Sequence, residues 1–484
     1  MVAGPVASPA PRRNRHLIFA LLSVSLLTVV MQFTMVSVSL RQLTSDLNAP
    51  LRWSGWVLTI FSLGQVIAQP VAGRLTERFG ARFMFAGGLA AFGTASLLCA
   101  VAPNVYVMIL ARFAQGIAGG GVIPAGSSLI GEVYEEGRAR AIGFFASLIP
   151  FASVLGPTVG GFIVDTWGWR WTFGINGPLA LVACVAGFML LPRGKIIPSR
   201  RIDFLGVSLI ALSVTPLVFA LTELGQRQQT PNYALVLGGA ALCLISLTIL
   251  VMHERRTSLP VVDLDLIARK EFLSANALSF FFGLAWGTVT PLLPLYAQEA
   301  YGFSASESGA LLAPRSVAMI LASTVAAWYL PRTGYRKPLM FGLLGTACLV
   351  TLLARGIHTP ALGGVEIGNF WWVLIVVTVL GFFFGSSNPS MNNASLDLAP
   401  DRIAAVVGLR AMSQGLGSTF GIPIALLLAS RSDTTAGGLE LAFTIFAVLL
   451  AIVAPLLIFR IPEAGSVPLV DKDIETRPAP MASD

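Results

Sequence analysis

The sequence predicts an all-α fold that crosses a membrane many times, and three observations carry that reading. Of 484 residues, 55% are hydrophobic and only 12% charged, about half the charge of an ordinary soluble domain. Apolar runs of about 18 residues or more recur from one end of the chain to the other, each long enough to cross a hydrocarbon core as a helix. One pattern of residues also returns half a chain later.

Fourteen spans are expected. Residues 1–16 read as a cytoplasmic tail, and Leu17–Leu40 as the first span. That run is too long for a signal-peptide core, and no small-residue cleavage site follows it. Runs at 54–75, 83–102, 105–130, 140–164 and 172–191 complete a six-helix bundle over 17–191. An extra pair at 204–223 and 233–252 has no charge within the membrane and is expected to pack peripherally. A basic cytoplasmic linker, 253–273, leads to a second six-helix bundle over 274–460, with spans at 274–297, 308–330, 338–355, 371–396, 404–430 and 439–460. Residues 461–484 read as a disordered cytoplasmic tail.

Placing the N-terminus in the cytoplasm puts 23 of the 32 basic residues in cytoplasmic segments and six outside. The positive-inside rule favours that orientation, with both termini cytoplasmic and a multi-pass location in the inner (plasma) membrane. The net charge of +8 is then a matter of topology. A nucleic-acid partner is not expected, because the basic residues are scattered over loops. Cys99, Cys184, Cys243 and Cys348 lie inside apolar runs, and the three histidines are far apart. No metal site, cofactor or disulfide framework is expected.

The repeat compares "SGWVLTIFSLGQVIAQPVAGRLTERFGARFMF" from Ser54 with "SGALLAPRSVAMILASTVAAWYLPRTGYRKPLMF" from Ser308. At a constant offset of 254, Ser54-Gly55 meets Ser308-Gly309, and Arg78, Gly80 and Arg82 meet Arg332, Gly334 and Arg336. Each copy is a span, a short basic turn and another span. A duplicated six-span unit is an architecture of transporters, with the substrate path between the halves.

Three stretches carry possible chemistry. In "GRLTERFGAR", Gly73 permits close helix approach, Gly80 a tight turn, and Glu77 can pair with Arg78 or Arg82; an ordinary basic loop is the plainer account. "ILARFAQGIAGGGVIPAG" carries Arg112 into span four, with Gln115 close by. A mid-membrane arginine costs about 2.5–3.5 kcal/mol on insertion scales and needs a partner or water. In "VLGPTVGGFIVDTWGWRWTFGINGP", Gly156 and Gly160 form a small face, Pro157 removes a backbone hydrogen bond, and Gly161 follows. Static packing and a compliant helix between domains both remain open.

These stretches resemble the signatures of the major facilitator superfamily, and the resemblance covers nearly the whole chain. "GPTVGG" is similar to its antiporter motif. The fourteen spans, with "WGWRWTFGINGP" and "LPVVDLDLIARKEF", resemble its drug:proton antiporter type-2 branch of multidrug exporters. The resemblance implies a major facilitator fold. It also implies that the turn at Gly73, Glu77, Arg78 and Gly80 stabilises one access state, and that Arg112 assists proton coupling. The family usually has Asp where Glu77 stands.

The first span departs from that branch. Against the pattern Leu-Asp-x-Thr-Ile-Val-Asn, the chain reads "MQFTMVSVS", with Gln32 at the aspartate position and Ser37 at the asparagine position. A glutamine cannot titrate. Ser25, Thr28, Gln32 and Ser39 share one helical face. Gln32 and Arg112 lie at similar depth and would meet if the two helices are neighbours. An interhelical hydrogen bond and a substrate contact are both open for Gln32.

Weaker polar candidates are Arg315 beside Pro314, Asn388 and Asn392 around Pro389, and Arg410 and Gln414 in span thirteen, where Gly417 and Gly421 form a packing face. With arginines and no deep acid, the path between the halves should be positive, favouring neutral or anionic amphiphiles. The function expected is a secondary-active exporter of amphiphilic small molecules, monomeric among membrane lipids, with protons as an open co-substrate. A lipid or lysolipid flippase or facilitator is the alternative. An embedded enzyme would need clustered catalytic groups at one depth, which the spans do not offer.

Overall fold

The computed structural model describes residues 12–134, 138–192, 203–225, 231–257, 262, 264–362, 365–399 and 403–461. The expected tail after Ile461, most of the N-terminal tail, the basic stretch 193–202 and Arg402 lie outside them.

The helices are α1 (Arg12–Asp46), α2 (Leu51–Phe79), α3 (Ala81–Ala100), α4 (Val105–Val133), α5 (Arg138–Trp167), α6 (Arg170–Leu190), α7 (Phe204–Leu224), α8 (Tyr233–Glu254), α9 (Leu264–Ile267), α10 (Lys270–Tyr301), α11 (Ala305–Ala310), α12 (Leu312–Thr333), α13 (Arg336–Leu353), α14 (Asn369–Asp397), α15 (Ile403–Arg431) and α16 (Thr435–Ile458). Two-residue strands β1 (Ala361–Leu362) and β2 (Val365–Glu366) pair antiparallel between α13 and α14. Twelve helical segments among the described residues are long and apolar enough to cross a membrane, and α2, bent by 56° between Trp53–Gln69 and Val71–Phe79, makes a thirteenth. The bend centres on Pro70, which has no N–H to give the helix ladder. The span expected at 308–330 is split. Ser304 and Glu307 form a capping box that starts the short α11, and α12 begins after Leu311.

Two sets of six helices pack in the same order. In the first, α1 lies on α5 and α6, α2 on α4, and α3 on α4 and α6; in the second, α10 lies on α15 and α16, α12 on α14, and α13 on α14 and α16. The sets meet through α2 with α15, α5 with α11 and α12, and α1 with α10. The repeated turns share geometry. Gly80 and Gly334 both have positive φ, at 87° and 68°, which a side chain would strain. Arg82 then donates to the carbonyl of Phe188 at the end of α6. Arg336 donates to those of Phe459 and Ile461, 3.1 and 3.0 Å away, after α16. Each arginine thus satisfies carbonyls that a helix C-terminus leaves unpaired.

The extra pair is not wholly peripheral. α8 is largely exposed along its apolar length, as a lipid-facing helix should be. α7, however, packs on both α2 and α15. Trp56 Nε1 donates to Thr222 Oγ1 at 2.7 Å, and Ser430 Oγ and Arg431 Nε donate to the carbonyls of Gly225 and Leu224. It bridges the seam between the two sets.

The end of the bundle away from Arg12 and Ile461 is closed. The largest apolar cluster runs from the second set into the far ends of α1, α2 and α4, joining Val36, Leu40 and Leu43 to Leu292, Leu295 and Tyr296. A second cluster, with Leu22, Phe85 and Leu129, belongs to the first set alone. Gln298 donates to the carbonyl of Val38 at 3.1 Å, and Arg41 pairs with Glu299 at 3.0 Å. Asp165 at the end of α5 accepts from the backbone N–H groups of Ala305 and Ser306, at 3.3 and 2.8 Å, which open α11. A carboxylate is favoured at that helix end.

Candidate translocation site between the helix sets

The glycines of α5 allow this closure. A Cβ on Gly156 would lie 2.0 Å from Thr34 Oγ1, and one on Gly160 2.9 Å from the Cα of Met35, so both press α5 onto α1. One on Gly161 would lie 2.4 Å from the carbonyl oxygen of Ala305, in the opposite set. Gly309 returns the contact, its Cβ position falling 2.2 Å from the carbonyl oxygen of Pro157. The helix therefore meets its own bundle on one side and the other bundle on the next.

Below the closed end lies a cavity of about 250 Å³. Phe33 of α1 and Ser62, Gln65 and Gln69 of α2 line it on one side; Trp286 and Thr290 of α10 and Gln414 and Ser418 of α15 line it on the other. Helical spacing explains the α2 residues: Ser62, Gln65 and Gln69 are three and four apart, hence on one face. None of the residues lining this cavity carries a charge.

The buried arginines stand behind that wall and do not line it, contrary to the arginine-lined path expected from sequence. Arg112 is fully buried. Its Nε donates to the carbonyl of Val57 at 3.0 Å and its NH1 to Gln115 Oε1 at 2.6 Å. The guanidinium sits 4.2 Å from the Phe61 ring, and Phe61 stacks on the cavity residue Phe33 with centroids 5.6 Å apart. Arg315 is 2% exposed. Its NH1 donates to Thr290 Oγ1 at 2.9 Å, and its guanidinium lies 4.4 Å from the Trp286 ring. On each side an aromatic layer separates a cation from the cavity. Burial favours this, because a guanidinium over a ring face is better compensated than one in bare hydrocarbon.

Gln32 and Arg112 are not hydrogen-bonded. Gln32, fully buried, accepts from Asn176 Nδ2 at 2.5 Å, and Asn176 also donates to the carbonyl of Thr172 at 2.8 Å. α6 packs on α1 more extensively than α4 does, and it brings the Asn176 amide to Gln32. Asn176 belongs to the "FGINGP" stretch; an asparagine in a membrane helix was the available signal. Ser25, Thr28 and Ser39 are buried with Gln32 on one face of α1, and their hydroxyls bond carbonyls three or four residues earlier.

Among the remaining candidates, Gln414 reaches the cavity, and Arg410 is half-buried one turn nearer the start of α15. Asn388 and Asn392 bond each other at 2.9 Å on α14 and do not line the cavity. Gly73 is exposed with open space around it, Glu77 is half-buried, and Arg78 lies over Phe79 while Arg332 lies over Trp328. The lining residues Phe33, Ser62, Gln65, Gln69, Trp286, Thr290 and Ser418 escaped the sequence reading. A lone glutamine or aromatic in an apolar run does not say which side of its helix faces the gap. No group of three or more His, Cys, Asp or Glu able to hold a metal occurs among the described residues.

Membrane-crossing helices in two similarly packed sets, closed at one end around a polar and aromatic cavity, define a transporter. The chain belongs to the Major Facilitator Superfamily, which it matches over residues 21–253 and 276–482. It is 28% identical to the multidrug resistance protein B homolog of Mycobacterium tuberculosis, over 82% of this chain and 72% of that protein. It is likewise 28% identical to a probable actinorhodin transporter of Streptomyces coelicolor, over 87% and 73%. The multidrug export protein EmrB of Escherichia coli K12 is 25% identical over 88% and 82%. Among solved structures, a bacterial homologue of the lysosomal transporter Spinster matches with a TM-score of 0.66 at 14% identity, covering 93% of this chain and 98% of that one. The xylose transporter XylE of E. coli matches at 0.64 and 14%, over 94% and 98%.

Proposed function

We propose that the chain is a secondary-active exporter of amphiphilic small molecules, biased towards neutral and anionic compounds, that works by alternating access in the inner membrane. The observation that carries this is the cavity wall. It offers aromatic faces at Phe33 and Trp286 and neutral hydrogen-bonding groups at Gln65, Gln69, Thr290 and Gln414, a surface suited to amphiphiles. Arg315 one layer back, and Arg410 one turn from Gln414, make the local potential positive, which disfavours cations. Relatives named for multidrug resistance and for multidrug export support the substrate class.

On this reading all fourteen long helices cross the membrane with both termini in the cytoplasm, the orientation in which 23 basic residues face inward. The closed far end is then the outer end, and the two bundles rock about the cavity. Proteoliposome transport of neutral, anionic and cationic amphiphiles tests the proposal. Uptake of neutral and anionic probes is expected. Transport of a permanent cation as fast as that of the neutral probes would overturn the charge bias.

A second reading, a lipid or lysolipid flippase or facilitator without proton coupling, is favoured by one observation. The aspartate position of the first span holds a glutamine fixed to Asn176, and no acid lines the cavity. An imposed pH gradient separates the two: it accelerates a proton-coupled exporter and leaves a facilitator unchanged.

A further inference from the structure

Arg112 carries its charge where nothing described cancels it. The side chain is fully buried, and the acceptors it meets, the Val57 carbonyl and Gln115 Oε1, are neutral. Its NH2 finds no acceptor among the described residues. The rings of Phe61 and Phe173, 4.2 and 5.8 Å from the guanidinium, offset only part of what desolvating an ion costs.

Two further buried donors share this condition, one a turn along α4 from Arg112 and one on α1. Gln115 Nε2 and Gln32 Nε2 have no acceptor among the described residues, and both side chains are fully buried. Their orientations follow from their partners. Arginine only donates, so Gln115 must turn its oxygen to Arg112 and its NH₂ away. Asn176 donates to Gln32, so the Gln32 oxygen is taken and its NH₂ is left over. Asn176 stands one turn along α6 from Phe173, which faces the guanidinium. The donor set is one cation and two amide NH₂ groups, with no acid and no unused acceptor on these side chains. That set suits an anion and repels a metal ion.

We propose that Arg112, Gln115 and Gln32 hold a small monovalent inorganic anion of chloride size between α1, α4 and α6, as the counter-ion of the guanidinium. The stacked Phe33 and Phe61 rings stand between this layer and the cavity, so the headgroup of a cavity-bound amphiphile meets aromatic faces first. A singly charged ion also loses far less hydration on entry than sulfate or phosphate, because the cost rises with the square of the charge. The proposal does not depend on which substrate is exported, and its test needs no transport.

The full-length protein in detergent is melted across a sodium chloride series, with sodium gluconate holding ionic strength constant. Chloride should raise the midpoint saturably by about 2–4 °C, bromide should do the same, and sulfate should not. In Arg112→Gln the chloride effect should vanish. Should that variant fail to fold, Gln32→Asp decides. Its tethered carboxylate replaces the free ion, so it should melt in gluconate no lower than wild type in chloride, and ignore chloride. Equal wild-type melting in both salts, a rise given by every salt alike, or the same chloride shift in Gln32→Asp as in wild type overturns the proposal. Stabilisation by an anionic amphiphile such as dodecanoate but not by chloride overturns it too, and assigns the charge to substrate.

Discussion

Gly161→Ala should unlatch the closed end of the bundle without unfolding it. The added methyl would sit 2.4 Å from the Ala305 carbonyl oxygen and 2.8 Å from the Ser306 Cα, about 1 Å inside normal contact. Both are backbone atoms, so no rotamer change relieves the overlap; α5 must back away from α11. Overpacking of this kind costs about 1–3 kcal/mol. Because the contact exists only where the two sets meet, the cost falls on the closed arrangement alone. At 1.4 kcal/mol per tenfold, that shifts the equilibrium between states by roughly 5- to 150-fold. Gly156→Ala is the control: its nearest obstacle, Thr34 Oγ1 at 2.0 Å, is in the same set, so both states suffer and only the melting temperature falls. Spin labels at Ser45 and Glu366, both exposed at the closed end, read the separation by pulsed electron paramagnetic resonance. Gly161→Ala should add a longer-distance population that Gly156→Ala lacks. Identical distance distributions for wild type and a well-folded Gly161→Ala, or the same long population in both variants, would refute the assignment of Gly161 to the contact between sets.

Trp286→Ala strips the cavity of an aromatic wall and bares Arg315; the transport KM for an aromatic amphiphile should rise about tenfold or more, and Trp286→Phe should recover most of it, measured at matched protein density. Trp56→Phe removes the bond to Thr222 that ties α7 to α2, leaves the Thr222 hydroxyl only its bond to the Val218 carbonyl, and should lower stability by about 1 kcal/mol in a thermal melt, with cavity binding unaffected. Tyr335, in the turn before α13, donates to Asp397; burial, then that bond to the carboxylate, pushes its phenol well above the usual range. Its neutral form is the one the fold favours, so its contribution is full below the unfolded value near pH 10 and declines above it; Tyr335→Phe should flatten the alkaline limb of a stability–pH curve. Gly80→Ala and Gly334→Ala, at φ of 87° and 68°, should each cost about 1–2 kcal/mol, read as lower melting temperatures.

What depends on local hydrophobicity and chain geometry was legible in the residues alone. Apolar runs set the long helices, because an unpaired backbone in hydrocarbon has no alternative to a helix. Arg78-x-Gly80-x-Arg82 and Arg332-x-Gly334-x-Arg336 announced two copies of one turn, because positive φ and helix-end carbonyls demand glycine and arginine wherever they occur. Gln32 was legible as a polar group in a costly place. What it would touch was not, since that depends on which helix of six is its neighbour: Asn176, 144 residues away, was supplied by α6 and not by α4. In the same way only packing set Arg112 and Arg315 behind Phe61 and Trp286 and brought α7 to the seam. Each of those outcomes turns on the rotation of one helix against another, and a run apolar on nearly every side leaves that rotation to the tertiary fold.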